Sequence, residues 1–219
     1  MCCTYRPQSR VVETSIINFR LPTAHIRQIS LETLLLTEPE IRQRIWMELQ
    51  RATQDRHHEW RTPVLATVGT DNLPQARTVV LRHADAKLCK LQIYTDSRSP
   101  KVRELVTQPQ VVLAFWSRRL SWQLRVRAVA SVQLVGPEVD AVWARVSQSP
   151  AAGDYLSTRA PGDLLPNAGA APVAEPKLQP LHHLAIISAQ VHAIDWLELA
   201  RTGHRRAVFQ AECWEWRVP

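Results

Sequence analysis

A short stretch between residues 94 and 101, YTDSRSPK, combines residue types that can bind an anion. Ser99 suits the cap position of a helix, and Pro100 suits its first turn. Lys101 would then lie where the helix dipole and the free backbone N–H groups already favour negative charge. A lysine at that end is unfavourable for the helix alone, so a bound anion would explain it. A solvated lysine beside an ordinary cap would give the same local pattern.

Two arginines lie upstream of this stretch, in the segment RTVVLR. Alternation along a single strand would send Arg77 and Arg82 to opposite faces. They therefore need not bind the same group: one could bind a phosphate and the other a second anion. Two solvated arginines at a sheet edge are the plainer alternative. Gln123, in WQLRVR, carries both the donor and the acceptor that a heteroaromatic ring edge requires, although a surface amide would look the same.

The C-terminal region adds three further candidate residues: Trp196, His204 and Arg206. A tryptophan can cover an aromatic ring, an arginine can pair with phosphate, and a histidine can contact a substrate. A core tryptophan and a histidine that merely follows the turn at Gly203 are the alternatives.

The periodicity of apolar residues predicts mostly strands with a few short helices. A capping-box pattern of Thr37 and Glu40 opens the first helix. Predicted helices cover residues 37–54, 99–109 and 136–150. Predicted strands cover two stretches within 62–85, then 87–96, 110–117, 120–135, 181–199 and 204–218. Residues 160–180 contain five prolines and are predicted to form a loop or mobile segment. This order favours one antiparallel barrel or sandwich domain.

Composition excludes several classes of protein. The 219 residues include four cysteines without a CxxC pair and six glycines without a GxGxxG or GxxxxGK[ST] motif. A disulfide framework, a zinc site and the usual phosphate-binding loops are therefore not expected. The net charge of +7 permits nucleic-acid binding, but the basic residues are spread along the chain. We expect a cytoplasmic enzyme with anionic ligands and without nucleic-acid, membrane or metal partners.

Four segments in order resemble the pyridoxamine 5'-phosphate oxidase-like family of flavin mononucleotide (FMN)-binding split barrels. These are LATVGTDNLPQARTVVLR, YTDSRSPKVREL, WQLRVRAVA and the W-x9-R spacing of Trp196 and Arg206. The likeness runs from about Pro63 to the C-terminus. It implies a mainly β (α+β) split barrel over residues 37–219, and we expect a poorly ordered extension over residues 1–36. The chain has Ser-Pro-Lys where the oxidase has Ser-Arg-Lys. In this it resembles a branch of FMN-binding proteins that are related to the oxidase but distinct from it.

The resemblance implies that FMN lies between the two chains of a homodimer. Arg77 and Lys101 would pair with its phosphate, with Ser99 as a further donor. Gln123 would meet the cofactor from the ring edge or the partner subunit, while Trp196 and Arg206 would close the site. The remaining implied cofactor contacts are Thr78, Val79, Val80, Arg82, Tyr94 and Thr95.

The family's substrate residues match this chain less well. Arg82 and His204 are retained, whereas Trp143 and Ser147 stand at positions where the oxidase has a Tyr and an Arg for the substrate phosphate. The resemblance therefore implies an FMN-dependent oxidoreductase in which flavin N5 accepts hydride or electrons from a small organic substrate. It leaves the substrate, the electron acceptor and any acid or base unassigned. A general flavin, quinone or nitro reductase is one alternative, and a non-enzymatic flavin-, heme- or nucleic-acid-binding barrel is another.

Overall fold

A computed structural model describes residues 36–164, 182–210 and 213–219 of the chain. The predicted N-terminal extension, apart from Leu36, lies outside the described residues, and so does most of the proline-rich loop predicted over 160–180. Within the described ranges, no helix has the length and apolar character needed to cross a membrane.

The first helix, α1 (Glu38–Gln54), begins where the capping-box pattern predicts. The Glu40 carboxylate accepts a hydrogen bond from the backbone N–H of Thr37, at 2.7 Å. This satisfies a donor at the helix start. Its apolar residues recur at helical spacing and form the buried stripe Ile41, Ile45, Leu49 and Ala52. The helix predicted over 37–54 is therefore confirmed.

Among the residues that the structure describes, nine antiparallel strands form one sheet, in agreement with the predicted fold class. They are β1 (Val64–Val68), β2 (Pro74–Thr78), β3 (Leu81–Asp85), β4 (Lys90–Asp96), β5 (Gln110–Ser117), β6 (Trp122–Gln133), β7 (Leu184–Glu198), β8 (Arg205–Gln210) and β9 (Cys213–Arg217). The order in the sheet is β2-β1-β5-β6-β7-β4-β3, and β8 pairs with both β7 and β9. Two more helices, α2 (Pro100–Thr107) and α3 (Pro137–Val146), follow β4 and β6.

The strand predicted to contain both Arg77 and Arg82 is in fact two strands, which corrects the sequence interpretation. Val79 leaves the ladder: its side chain is buried in the core, and its backbone N–H donates to the carbonyl of Pro63 at 2.9 Å. The chain then continues as β3, which pairs with β4 and not with β1. The last predicted strand, over 204–218, is likewise divided into β8 and β9.

The long strand β7 joins the two parts of the sheet. Its first half pairs with β4 and its second half with β8, while β6 runs along its other edge. The β6–β7 ladder shifts register at Arg127/Ala128, where a bulge bends the pair. The sheet is therefore curved but not closed, as expected of a split barrel.

The main core lies inside this curved sheet under α1. Its largest fully buried side chains include Trp60, Phe115, Trp122 and Trp196. Along β6, burial alternates from Trp122 to Ala130, as the period of two predicts. A second, smaller cluster lies beneath α3 and comprises Val139, Val142, Tyr155, Leu184 and Ile186.

A buried carboxylate ties α1 to the rest of the domain. Glu48 is 8% exposed and accepts hydrogen bonds from His58 Nε2 at 2.7 Å and Arg119 Nη2 at 2.5 Å. The other ring nitrogen, His58 Nδ1, accepts from the backbone N–H of Trp60. All these partners satisfy one another, so this network is structural.

Candidate functional site

The YTDSRSPK stretch spans the end of β4 and the start of α2, and its polar side chains form a cluster. Lys101 Nζ donates to Thr95 Oγ1 at 3.1 Å, and Thr95 Oγ1 lies 3.2 Å from Ser99 Oγ. Ser99 is fully buried and Thr95 nearly so. The Ser99 hydroxyl does not cap the helix, although Ser99 occupies the cap position. It faces Thr95 instead and forms a pair of hydroxyls beside the Lys101 ammonium group, while the predicted cap position of Ser99 is confirmed.

Arg77, on β2, lies next to this cluster. Its Nη2 donates to Glu104 Oε2 at 2.8 Å, and its Nη1 donates to the Thr67 hydroxyl. Thr67 Oγ1 in turn donates to the same Glu104 oxygen at 2.5 Å. The register pairs Arg77 with the buried Leu65, which places Arg77 on the inner face of the sheet.

The two cations are neighbours, because Arg77 pairs with Glu104, which lies one helical turn after Lys101 on α2. Burial is the largest cause that lowers the pKa of Lys101, and the positive charge of Arg77 lowers it further. Glu104 and Asp96 oppose this shift. Two partly buried cations near each other are unfavourable unless an anion lies close by. The structure therefore brings together Arg77 and Lys101, the pair predicted to bind a phosphate.

Arg82 lies in a different place, at a bulge in β3. Its guanidinium carbon is 5.7 Å from the centre of the Tyr94 ring, and its positive charge acts to lower the pKa of Tyr155. Burial raises the pKa of Tyr155, which therefore stays neutral. The Nε of Arg82 is buried and has no hydrogen-bond partner among the described residues.

A cleft of about 490 Å³ opens beside Arg82, between α3 and the β3–β4 pair. Its lining includes the cations Lys90 and Arg145, whereas its one acidic residue, Glu138, accepts from Gln92 at 2.8 Å. Gln92 and Tyr94 share this side of β4, as the alternation predicted, while Leu91 and Ile93 face the core. Tyr94 and Thr95 therefore serve opposite faces: Tyr94 borders the cleft and Thr95 borders the Lys101 cluster.

The predicted substrate residues are not brought together. Of Arg82, Trp143 and His204, Arg82 alone lines the cleft. Trp143 stacks against His182 with ring centres 4.5 Å apart. His204 is exposed in the turn between β7 and β8. Near Arg77, Thr78 is exposed, Val80 is half-buried and Val79 is a core residue.

Trp196 and Arg206 lie on opposite faces of the sheet, since Trp196 pairs with Ala207 and Arg206 pairs with Leu197. Trp196 is fully buried in the core, 5.3 Å from Trp122 between ring centres, and pairs with Ala207. Arg206 is on the outer face, where its Nη2 donates to Asp195 Oδ2 at 2.8 Å. Gln123 shares that outer face.

Two residues of the site region were missed by sequence reasoning. Glu104 is three positions after Lys101, a spacing that places both on one side of α2. Arg98, interpreted as a plain turn residue, pairs with buried Asp96 at 2.7 Å. It also donates to the carbonyls of Ser157, Thr158 and Arg159. The local pattern carries a signal for Glu104, but none for a contact 59 to 61 residues away.

Replacing Arg98 with alanine is expected to destabilise the domain by about 2–3 kcal/mol, because the Asp96 carboxylate loses its counter-ion and three carbonyls lose a donor. Urea denaturation of the purified protein measures this loss. Arg103→Ala, at an exposed position of α2, is the matched control and should change stability little. Equal stability of the two variants would contradict the structural role of Arg98.

An open, curved antiparallel sheet with few helices is the architecture of the split-barrel folds. Two solved structures share this fold. One is a pyridoxamine 5'-phosphate oxidase-related FMN-binding protein from Nostoc punctiforme, with a TM-score of 0.61, 18% identity and coverage of 85% of this chain and 100% of that one. The other is PhzG from Burkholderia lata, in complex with tetrahydrophenazine-1-carboxylic acid, with a TM-score of 0.60, 19% identity and coverage of 84% and 93%.

Sequence comparison finds similarity to one family. Residues 43–133 match the family model described as pyridoxamine 5'-phosphate oxidase, FMN-binding domain. The pyridoxine/pyridoxamine 5'-phosphate oxidase of Thermosynechococcus vestitus is 35% identical over 117 residues, 53% of each chain. That of Azorhizobium caulinodans is 35% identical over 103 residues, covering 46% of this chain and 47% of that protein. The chain thus matches about half the length of these curated relatives. Residues 43–133 match the FMN-binding domain of this family, and the resemblance predicted from the sequence is confirmed.

Proposed function

We propose that this protein binds FMN through its phosphate at the Arg77–Lys101 cluster and is an FMN-dependent oxidoreductase. The observation that carries the proposal is the juxtaposition of two partly buried cations with the buried hydroxyls of Thr95 and Ser99. A phosphate needs positive charge and several hydrogen-bond donors, and this cluster offers both. The cluster lies within the segment that matches an FMN-binding family domain.

When bound, the flavin would supply hydride or electron transfer, which no protein side chain provides. The residues of this chain would bind and orient it. Lys101 and Arg77 would neutralise the phosphate charge, and Ser99 would donate a further hydrogen bond. Arg77 is followed directly by Thr78, the last residue of β2, and then by Val79 and Val80. The backbone of these three residues is the proposed support for the flavin ring.

We further propose that two copies of the chain form the complete site. Gln123 and Arg206 lie on the outer face of the sheet, whereas Arg77 lies on the inner face, so a single copy does not bring them together. The outer face also exposes apolar side chains on neighbouring strands: Val64 is 40%, Trp116 47% and Val129 44% exposed. Burying such a face against a second copy would be favourable.

The cleft beside Arg82 is the proposed place for an acidic group of the substrate. Among the described residues, the buried Arg82 Nε has no hydrogen-bond partner. The cleft is lined by more cationic than acidic side chains. A small organic anion would satisfy that donor. The oxidase's own pattern is incomplete here, because the half-buried Ser147 stands where the oxidase has an arginine, and its hydroxyl donates to the carbonyl of Ala144. We therefore propose an anionic substrate without assigning pyridoxamine phosphate.

The proposal is tested by titrating purified, flavin-free protein with FMN and with riboflavin, and by following the visible flavin absorption. Riboflavin is the matched ligand because it has the same ring and lacks the phosphate. We expect FMN to bind at least about 100-fold more tightly, since two charge-assisted contacts are lost with riboflavin. Equal affinities, or no binding of either, would contradict the assignment. Sedimentation analysis of the complex tests the dimer, and a screen of reductants and acceptors tests turnover.

The affinity for FMN should begin to fall at a lower pH than it would if Lys101 had an ordinary lysine pKa. The lowered pKa of Lys101 means that its ammonium loses its proton below the usual value of about 10.4. A phosphate favours the charged form, so binding takes up a proton above that pKa and weakens as pH rises. Kd should therefore already increase as the pH rises towards the usual lysine pKa. In Lys101→Arg the charge persists and the profile should be flat; identical profiles would contradict a role for Lys101.

A further inference from the structure

Glu104 is a buried carboxylate that the proposed phosphate contacts do not use. It is 7% exposed, and it lies on α2 one turn after Lys101. A buried carboxylate beside a phosphate site is unexpected, because two anions repel each other. Its presence therefore needs a physical reason.

The contacts of Glu104 form a closed triangle. One of its oxygens accepts from Arg77 Nη2 at 2.8 Å and from Thr67 Oγ1 at 2.5 Å, and the Thr67 hydroxyl accepts from Arg77 Nη1. A guanidinium has five N–H donors, so these two bonds leave donors free for a ligand. The long arginine side chain, which has several rotamers in isolation, is fixed in one of them.

We infer that Glu104 is a positioning residue, which holds Arg77 both directly and through Thr67 so that the remaining N–H groups of Arg77 face the phosphate bound by Lys101. This inference rests on the proposed function. One carboxylate against two cations leaves a net positive charge, so the site still attracts a phosphate while Arg77 is held ready. A fixed arginine avoids part of the entropy cost of binding.

A plain charge-compensating role makes the opposite prediction. If Glu104 only offset the two cations, removing its charge would strengthen phosphate binding in both Glu104→Gln and Glu104→Ala. A positioning role instead separates the two variants, because the glutamine oxygen still accepts from Arg77 and alanine does not. Glu104→Gln should therefore retain the FMN affinity that Glu104→Ala loses.

The experiment is an FMN titration of the wild type, Glu104→Ala, Glu104→Gln, Arg77→Ala and the double variant Arg77→Ala/Glu104→Ala. We expect Glu104→Ala to raise Kd about tenfold, the effect of losing one well-oriented charge-assisted bond. Glu104→Gln should stay within about threefold of the wild type, as expected for a retained acceptor. The double variant should bind no more weakly than Arg77→Ala, because Glu104 acts through Arg77.

Glu48→Ala is the matched control, since Glu48 is equally buried and also pairs with an arginine but lies on α1. It should cost stability without changing Kd. If Glu104→Ala does not fold, Thr67→Val tests the same triangle and should raise Kd severalfold. Wild-type or tighter FMN binding by Glu104→Ala, or an unchanged Kd in Thr67→Val, would overturn the inference. Absence of FMN binding by the wild type would overturn the proposed function itself.

Discussion

Replacing Lys101 with glutamate is expected to raise the Kd for FMN by about 100- to 1,000-fold. The substitution removes a charge-assisted hydrogen bond worth about 1.5–3 kcal/mol and adds repulsion between the new carboxylate and the phosphate. Each 1.4 kcal/mol corresponds to about tenfold in affinity. The partly buried position of Lys101 makes the effect larger than at a solvated site, because water screens the charges less.

Titration of the purified variant with FMN measures this effect. Lys87→Glu is the matched control, since Lys87 is an exposed lysine in the turn between β3 and β4 and should leave Kd within about twofold. Circular dichroism checks that both variants are folded. An FMN affinity of Lys101→Glu close to that of the wild type would mean that the phosphate binds elsewhere.

Replacing Trp196 with alanine should lower the free energy of unfolding by about 3–5 kcal/mol, the usual cost of a large cavity in a core. Trp196 is fully buried and contacts Trp122 edge-on. Its indole Nε1 has no hydrogen-bond partner among the described residues, so phenylalanine loses no bond there. Trp196→Phe should therefore cost less, about 1–2 kcal/mol, and leave FMN affinity within about twofold.

Chemical denaturation and FMN titration of the same preparations separate these two roles. Leu88→Ala, at an exposed apolar side chain in the β3–β4 turn, serves as the control and should change stability by less than about 0.5 kcal/mol. A large loss of FMN affinity in a stable Trp196→Phe variant would show that the tryptophan contacts the flavin. The placement in the core would then be incorrect for the bound protein.

Local sequence patterns were sufficient for those features that depend on neighbouring residues. The capping box at Thr37 and the alternation along β6 depend on spacings of a few residues, and both are found. Lys101 lies in the first turn of α2, as the Ser-Pro-Lys order predicts. These features follow from the helical and strand periods alone.

The features that local patterns could not supply depend on sheet topology. Arg77 and Arg82 lie on different strands because the chain leaves the ladder at Val79, whose side chain is buried in the core. The alternation of residues in RTVVLR does not indicate that break. The partner of Arg98 is a loop some 60 residues later in the chain. Trp196 fits a family spacing, yet strand register decides which face it occupies. Long-range pairing, more than residue type, sets these placements.

The pairing of β4 also has a consequence for the order in which the molecule is built. Thr95 and Asp96, beside the Lys101 cluster, pair with Ala185 and Leu184 on β7. Until β7 is present, β4 has β3 on one edge and unpaired backbone groups on the other. Such distant pairings slow folding, because a long loop must close before they form. During synthesis this site would therefore remain incomplete until β7 has emerged. Until then, the unpaired edge of β4 would be open to association with other strands.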